Sequence, residues 1–93
     1  MRTISRTTRF KKDYKREAKG QHRGTLDEDL FRVVSLLAAD SPLSERMQDH
    51  PLTGEWDDFR DCHVRPDLVL IYRKPDAETL ELVRLGSHIE LSL

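Results

Sequence analysis

The sequence predicts an α+β domain: two N-terminal helices packed on one face of a mainly antiparallel four-stranded sheet, in the order β-α-α-β-β-β. Three observations lead there. Apolar residues recur at helical spacing up to Leu37. From Arg60 onward they form short runs rich in Leu, Val, Ile and Tyr. Between the two lies residues 42–58, a stretch without period that carries Pro42, Pro51 and Gly54 and reads as a long connecting loop.

Residues 2–7 alternate weakly and predict a short first strand. Phe10, Tyr14 and Ala18 fall on one stripe of an amphipathic helix with the lysines and arginines outside it, and Gly20 is its expected stop. Thr25 and Glu28 have capping-box spacing, so a second helix is expected from there. Leu26, Leu30, Val33, Val34 and Leu37 form its apolar face, and Asp40-Ser41-Pro42 ends it, because a residue before proline disfavours helix. Residues 60–65, 67–74 and 79–85 read as three strands, with turns at Pro66 and at Lys74-Pro75-Asp76-Ala77, and Gly86 closes the last.

A chain of 93 residues fits one domain, residues 1–93, and one of this size buries only about two-thirds of its unfolded surface, so it is expected to be marginal without a partner. Charged residues at 35% and apolar residues at 37% suit a soluble globular protein. Cys62, the single cysteine, excludes an internal disulfide and suits a reducing cytoplasm. No apolar run is long enough for a membrane span, and the basic N-terminus lacks a signal-peptide core.

The net charge of −1 hides an asymmetry. Residues 1–24 carry nine Lys or Arg against Asp13 and Glu17, a net of +7, whereas residues 25–93 carry seven against fifteen acids, a net of −8. A basic segment of that density attracts a polyanion or is simply a solvated helix face; the acidic remainder argues against nucleic-acid binding by the whole surface.

The chemistry-bearing residues gather in the second half. In a strand over 60–65, period two sends Asp61, His63 and Arg65 to one face and Cys62 and Val64 to the other. With the helices on the Cys62 face, Asp61 and His63 look toward solvent, and Cys62 is a small core residue rather than a nucleophile paired with His63. Asp61 has Arg60 and Arg65 as possible partners, Arg84 has Glu81 and Glu90, and Trp56 is expected to anchor the loop. His50, His63 and His88 with Arg84 supply the parts for cleaving RNA through its 2′-hydroxyl without metal. Histidine serves both proton transfers because its pKa lies near neutrality, and arginine offers phosphate oxygens a planar, permanently charged fork.

Asp49-His50-Pro51-Leu52 with Gly54 and Trp56, Arg60-Asp61-Cys62-His63-Val64-Arg65-Pro66-Asp67, and Arg84-x-Gly86-x-His88 together resemble the YafQ branch of the RelE/ParE superfamily, the toxin halves of bacterial type II toxin–antitoxin pairs. The resemblance spans nearly the whole chain in length and element order and is dense over residues 49–72 and 84–88. It implies a RelE/ParE-like fold and an mRNA endonuclease that works on the ribosome, uses no cofactor or metal, and is neutralised by a cognate antitoxin of the DinJ/RelB kind. By that likeness His50, His63, Asp67 and His88 match the acid/base positions. Asp61 matches a further polar position and Arg84 the strand-four arginine used against the scissile phosphate; Asp61 and Arg65 are expected beside Arg84 at the phosphate and transition state. Lys11, Lys12, Lys15, Arg16 and Lys19 are the expected contacts to ribosomal RNA. The sequence does not divide acid from base among these residues; the assignment taken is His88 as the acid and His50 or His63 as the base, with Asp67 orienting or sharing that role. Relatives usually carry an aromatic four residues after the last histidine, where this chain has Ser92.

Two other readings compete. One is a toxin-fold binding module without nuclease activity, either degenerate or ParE-like. The other is a metal site of His63, Asp67 and His50 or His88, whose spacing matches no metal motif.

Overall fold

The computed structural model describes all 93 residues. Strand β1 (Thr3–Arg6) leads directly into helix α1 (Thr8–Glu17). Thr7 caps that helix: its hydroxyl accepts from the Phe10 N–H at 3.0 Å and donates to the Val83 carbonyl at 2.8 Å, which ties the helix start to the last strand. Phe10 is buried and Tyr14 packs beside it, as the stripe predicts, while Ala18 is exposed. The helix ends at Glu17, three residues short of Gly20.

Helix α2 (Leu26–Ala38) buries Leu26, Leu30, Val33, Val34, Leu37 and Ala38. It begins where Thr25 predicts, but the expected capping box is absent: Thr25 makes no side-chain cap. Its other end closes by a Schellman pair, Asp40 N–H to Leu37 O at 3.2 Å and Ser41 N–H to Leu36 O at 2.9 Å, with Asp40 in the left-handed region at φ 56°.

The sheet has five strands rather than four. Two-residue β2 (His50–Pro51) pairs antiparallel with β3 (Arg60–Arg65), followed by β4 (Leu68–Asp76) and β5 (Thr79–Gly86), in the order β1-β5-β4-β3-β2. Only the β1–β5 contact is parallel, so the sheet is mixed. Pro51 is tolerated because β2 is an edge, where a missing N–H interrupts no ladder. The stretch 42–58 is thus an organised connection, with single 3₁₀ turns at Glu45–Met47 and Gly54–Trp56 flanking β2.

Central strand β4 is buried on both faces. Leu68, Leu70 and Tyr72 join the helices, Cys62 and Val64 in the main core, while Val69 and Ile71 face away. The far face is covered rather than solvated: Leu91 buries against Val69 and Ile71, with Leu52, Trp56, Phe59 and Val83 around them. Trp56 anchors its loop there, its ring edge-on to Phe59 at 5.3 Å. Of three register shifts in the sheet, two redirect side chains near the site. One between His63 and Arg65 breaks the period-two pattern, so Arg65 leaves the Asp61/His63 face and meets Asp29 on α2. The other makes Val83 an extra residue between Leu82, opposite Tyr72, and Arg84, opposite Ile71.

Candidate active site

Three elements bring histidines to one place on the far face of the sheet. His50 stands on β2 and His63 on β3, two residues from Asp61; His88 lies in the C-terminal turn after β5. The His63 and His88 rings meet edge to face with centroids 5.1 Å apart. His50 Nε2 lies 3.0 Å from Asp61 Oδ1. Asp61 is only 2% exposed, because β2 and the second apolar cluster close over a face that the strand pattern alone assigns to water. It pairs with neither Arg60 nor Arg65; these go to Asp49 and Asp29.

The protonation of this pair follows from its contacts. His50 Nδ1 sits 2.6 Å from the Gln48 carbonyl, which can only accept, so Nδ1 carries the hydrogen. In a neutral ring Nε2 is then a lone pair facing a carboxylate oxygen. Asp61 Oδ1 is buried without an aligned hydrogen bond. Two acceptors 3.0 Å apart need one shared proton, supplied either by imidazolium or by carboxylic acid. The carboxyl is displaced in that direction: burial pushes Asp61 above its usual range, and the charges of His50, His63 and His88 offset this only in part. His63 moves the other way. Burial and the neighbouring His88 lower its pKa, with Asp61 opposing, so its ring is neutral near pH 7.

Both supports of the cluster are tied down. The chain at His50 is fixed through Asp49, whose Oδ1 accepts from the Tyr72 hydroxyl at 2.5 Å and from Arg60 Nε at 3.2 Å. The chain at His88 is a single helical turn closed at both ends. Ser87 and Glu90 form a reciprocal capping box, the Glu90 N–H donating to Ser87 Oγ at 3.1 Å and the Ser87 N–H to Glu90 Oε1 at 2.9 Å. At the far end the Leu93 N–H reaches the His88 carbonyl at 2.9 Å, with Ser92 left-handed at φ 59°.

Other expected site residues are engaged elsewhere. Asp67, in the β3–β4 turn, accepts from Gln21 Nε2 at 2.6 Å and lies 3.0 Å from His22 Nε2. Arg84 is bound to Asp13 through Nε at 2.7 Å, not to Glu81 or Glu90. Of the basic residues on the N-terminal segment, Lys11, Lys12, Lys15 and Lys19 are exposed, while Arg16 contacts Asp13, Glu17 and Glu90. Cys62 is fully buried and its thiol is pushed up by burial, which suits the core role. No three His, Cys, Asp or Glu side chains are grouped to hold a metal ion, and no helix is long and apolar enough to cross a membrane.

Asp49 and Tyr72 are supports that sequence reasoning does not single out. Both lie in the family-like stretch 49–72, but nothing there assigns either a role: Asp49 stands out only as the neighbour of His50, and Tyr72 reads as a strand residue. Asp13 is different. It sits between Phe10 and Tyr14 on the buried side of α1, a carboxylate inside an apolar stripe, and such a position calls for a charged partner.

The model of the bacterial toxin of type II toxin–antitoxin systems, YafQ, matches residues 2–93. The chain belongs to the YafQ family. The mRNA interferase toxin YafQ of Escherichia coli K12 is 32% identical over 90 residues, covering 95% of this chain and 97% of that protein. Among solved structures, a copper-bound mutant toxin from Helicobacter pylori superposes with a TM-score of 0.84 at 35% identity, covering 98% of this chain and 99% of the other. The E. coli YafQ in its complex with DinJ superposes with a TM-score of 0.78 at 32% identity, covering 98% of each chain. These likenesses extend over the whole YafQ fold, from β1 through the C-terminal turn.

Proposed function

We propose that this YafQ-family toxin is a ribosome-dependent mRNA endonuclease of the cytoplasm, working by metal-independent acid/base attack of the 2′-hydroxyl and neutralised by a DinJ/RelB-like antitoxin. The observation that carries this reading is the convergence of His50, His63 and His88 on the buried Asp61. In the proposed step a base takes the 2′-hydroxyl proton, the 2′-oxygen attacks phosphorus, and the P–O5′ bond breaks to leave a 2′,3′-cyclic phosphate. An acid protonates the departing 5′-oxygen. His63, neutral near pH 7, suits the base. His88, on the exposed turn, suits the acid; the proton His63 gains equals the one His88 gives up, and its return from the first ring to the second, 5.1 Å away, directly or through solvent, restores the starting state.

Asp67 and Arg84 remain part of the proposed site by family likeness, each entering from a contact it holds in the free protein. Arg84 gives Nε and Nη2 to Asp13, which leaves Nη1 for a phosphate oxygen. The exposed Lys11, Lys12, Lys15 and Lys19 support docking on ribosomal RNA, an interaction that weakens steeply with salt.

The test is induced expression in bacteria, without antitoxin, of the wild type and of His88→Gln, with growth followed and transcript ends mapped. Growth arrest with new codon-phased ends in the wild type alone supports the reading. A harmless wild type, or arrest by both proteins without new ends, turns the chain into a binding module. Purified toxin stripped with chelator and returned to ribosomes should cleave at an unchanged rate; restoration by added copper or zinc would sink the metal-independent step.

A further inference from the structure

Outside the histidine cluster, a groove of about 950 Å³ runs between the first half of α2, the Glu45–Met47 turn and the end of β3. Its lining includes Arg32, Arg46, Arg65 and His63, with Glu28 and Asp29. Only two of its ten lining residues are hydrophobic, so it suits a charged, hydrated ligand rather than an apolar one. Residues 25–93 carry a net charge of −8 with only seven Lys or Arg, yet three of those seven line this groove.

The arginines are arranged by one buried carboxylate. Asp29, 3% exposed, accepts from Arg32 Nη2 at 2.8 Å through Oδ1 and from Arg65 Nε at 2.6 Å through Oδ2. Each guanidinium uses one N–H in this way and keeps the rest of its fork for a ligand. Asp29 neutralises one charge of the two, and Arg46 is exposed on the opposite wall with no carboxylate partner, so the three arginines outweigh Glu28 and Asp29. Pre-set planar donors of this kind suit phosphate oxygens. The register shift that carries Arg65 to Asp29 places it in this groove, two residues from His63. Strand β2 pairs only with Arg60 and Asp61, so no strand covers the outer edge of β3 beyond them, and the Glu45–Met47 turn that walls the groove packs against β3.

We infer that this groove holds the phosphate backbone of the single-stranded RNA next to the cleaved bond, with Arg32, Arg46 and Arg65 as its phosphate contacts and His63 at the junction with the proton-transfer site. The inference rests on the proposed RNA-cleaving reading, and a binding measurement separates the two.

The experiment uses the full-length His88→Gln protein, so that RNA is bound without being cut, and a short fluorescein-labelled single-stranded RNA followed by anisotropy over a range of salt. Arg46→Ala and Arg32→Ala should each weaken binding and lower the slope of log K against log salt by roughly 0.7 for each phosphate no longer neutralised. Arg73→Ala, whose guanidinium pairs with Glu81 away from the groove, should change neither. Because Arg46 is exposed and unpaired, its removal leaves the fold intact, and circular dichroism checks this. In the cutting-competent background Arg46→Ala should raise KM several-fold. If the Arg32→Ala/Arg46→Ala double variant binds the RNA with the parent's affinity and salt slope, the inference is overturned. It is equally overturned if only affinity for whole ribosomes falls, since the groove then meets the ribosome and not the substrate strand. Cleavage surviving His88→Gln would instead defeat the histidine mechanism and leave the binding result standing.

Discussion

Arg16 Nε lies 3.2 Å from Glu90 Oε2, joining α1 to the turn that carries His88. The same guanidinium donates from Nη2 to the Leu85 carbonyl at 2.8 Å. It passes so close to the backbone that a Cβ on Gly86 would sit 2.8 Å from that Nη2 and 3.2 Å from Glu90 Oε1. Glu90 therefore serves twice, as the capping partner of Ser87 and as the anchor for Arg16. Truncation by Glu90→Ala should cost about 1 kcal/mol of stability through removal of the cap. It should also lower kcat more than it raises KM, because His88 loses its fixed position. Glu90→Gln, which still accepts from the Ser87 N–H, should restore most of the rate. Equal kcat for Glu90→Ala and wild type would show that the turn holds His88 without this contact.

Asp61→Asn should separate stability from activity. The Asp61 carboxyl is raised above 3.8 in the folded protein, first by burial, with the three histidines partly offsetting it. A carboxyl with a raised folded pKa stabilises fully below its unfolded pKa and loses that contribution as pH rises through the folded value. The asparagine variant stays neutral throughout, so it should raise Tm at pH 7, and the gain should shrink toward zero near pH 3, where wild type is protonated in both states. Cleavage should fall because the shared proton with His50 is gone. His63, which Asp61 pulls upward, should titrate at still lower pH by NMR. A Tm gain equal at both pH values would contradict the assignment.

Much of this molecule is legible in its sequence for a physical reason. Apolar periodicity reports on burial, and burial determines the elements: Leu26 to Leu37 mark α2, and the Leu-Val-Leu-Ile-Tyr run marks a strand buried on both faces. His50, His63 and His88 are identifiable because histidine is rare and chemically distinctive. What escapes are features made by register and by long-range charge pairing. A two-residue strand containing proline has no period to detect, so β2 reads as loop. Strand alternation places Arg65 beside Asp61 and His63, but the shift after His63 sends it to Asp29. Asp29 looks like an ordinary helix-surface acid until Arg65, 36 residues away, is brought onto it, and the place of Asp13 in an apolar stripe calls for a charged partner without naming Arg84, 71 residues away.

Tyr72 should behave as a positioning residue for β2. Its buried hydroxyl donates to Asp49, the residue before His50, and the strand below it is held by the Leu52 N–H to Phe59 carbonyl bond at 3.0 Å. Tyr72→Phe keeps the ring in the core and removes only that donor, so a destabilisation of about 1 kcal/mol is expected. Amide exchange at Leu52 should quicken while exchange within α2 stays slow. The His50–Asp61 proton should become less well held, and kcat should fall with it. Unchanged exchange at Leu52 would mean that Arg60 alone secures Asp49.

The Asp13–Arg84 pair is the deepest ionic contact between the helices and the sheet, and it gives the sharpest stability test. Asp13 Oδ2 accepts from Arg84 Nε at 2.7 Å and from the Leu85 N–H at 3.0 Å, and Oδ1 accepts from Arg16 Nη1 at 3.0 Å. Burial alone would push the carboxyl up. The Arg84 and Leu85 hydrogen bonds, with the charges of Arg84 and Arg16, outweigh it and hold the pKa below 3.8. Asp13→Ala strands a guanidinium only 13% exposed and should cost about 3 kcal/mol at pH 7 by urea denaturation. A lowered folded pKa stabilises above the unfolded value and is lost as pH falls through the folded one, so the gap between wild type and Asp13→Ala should narrow below pH 4. Removing both partners should be milder than the sum of the single effects, because Arg84→Ala takes away the charge that Asp13→Ala leaves buried. Additive single and double effects would show that Asp13 acts through the Leu85 N–H and not through Arg84. Cleavage gives the second reading: with Asp13 gone, Arg84 is no longer aimed by Nε and Nη2, so Asp13→Ala should lower kcat even under conditions where the variant is fully folded.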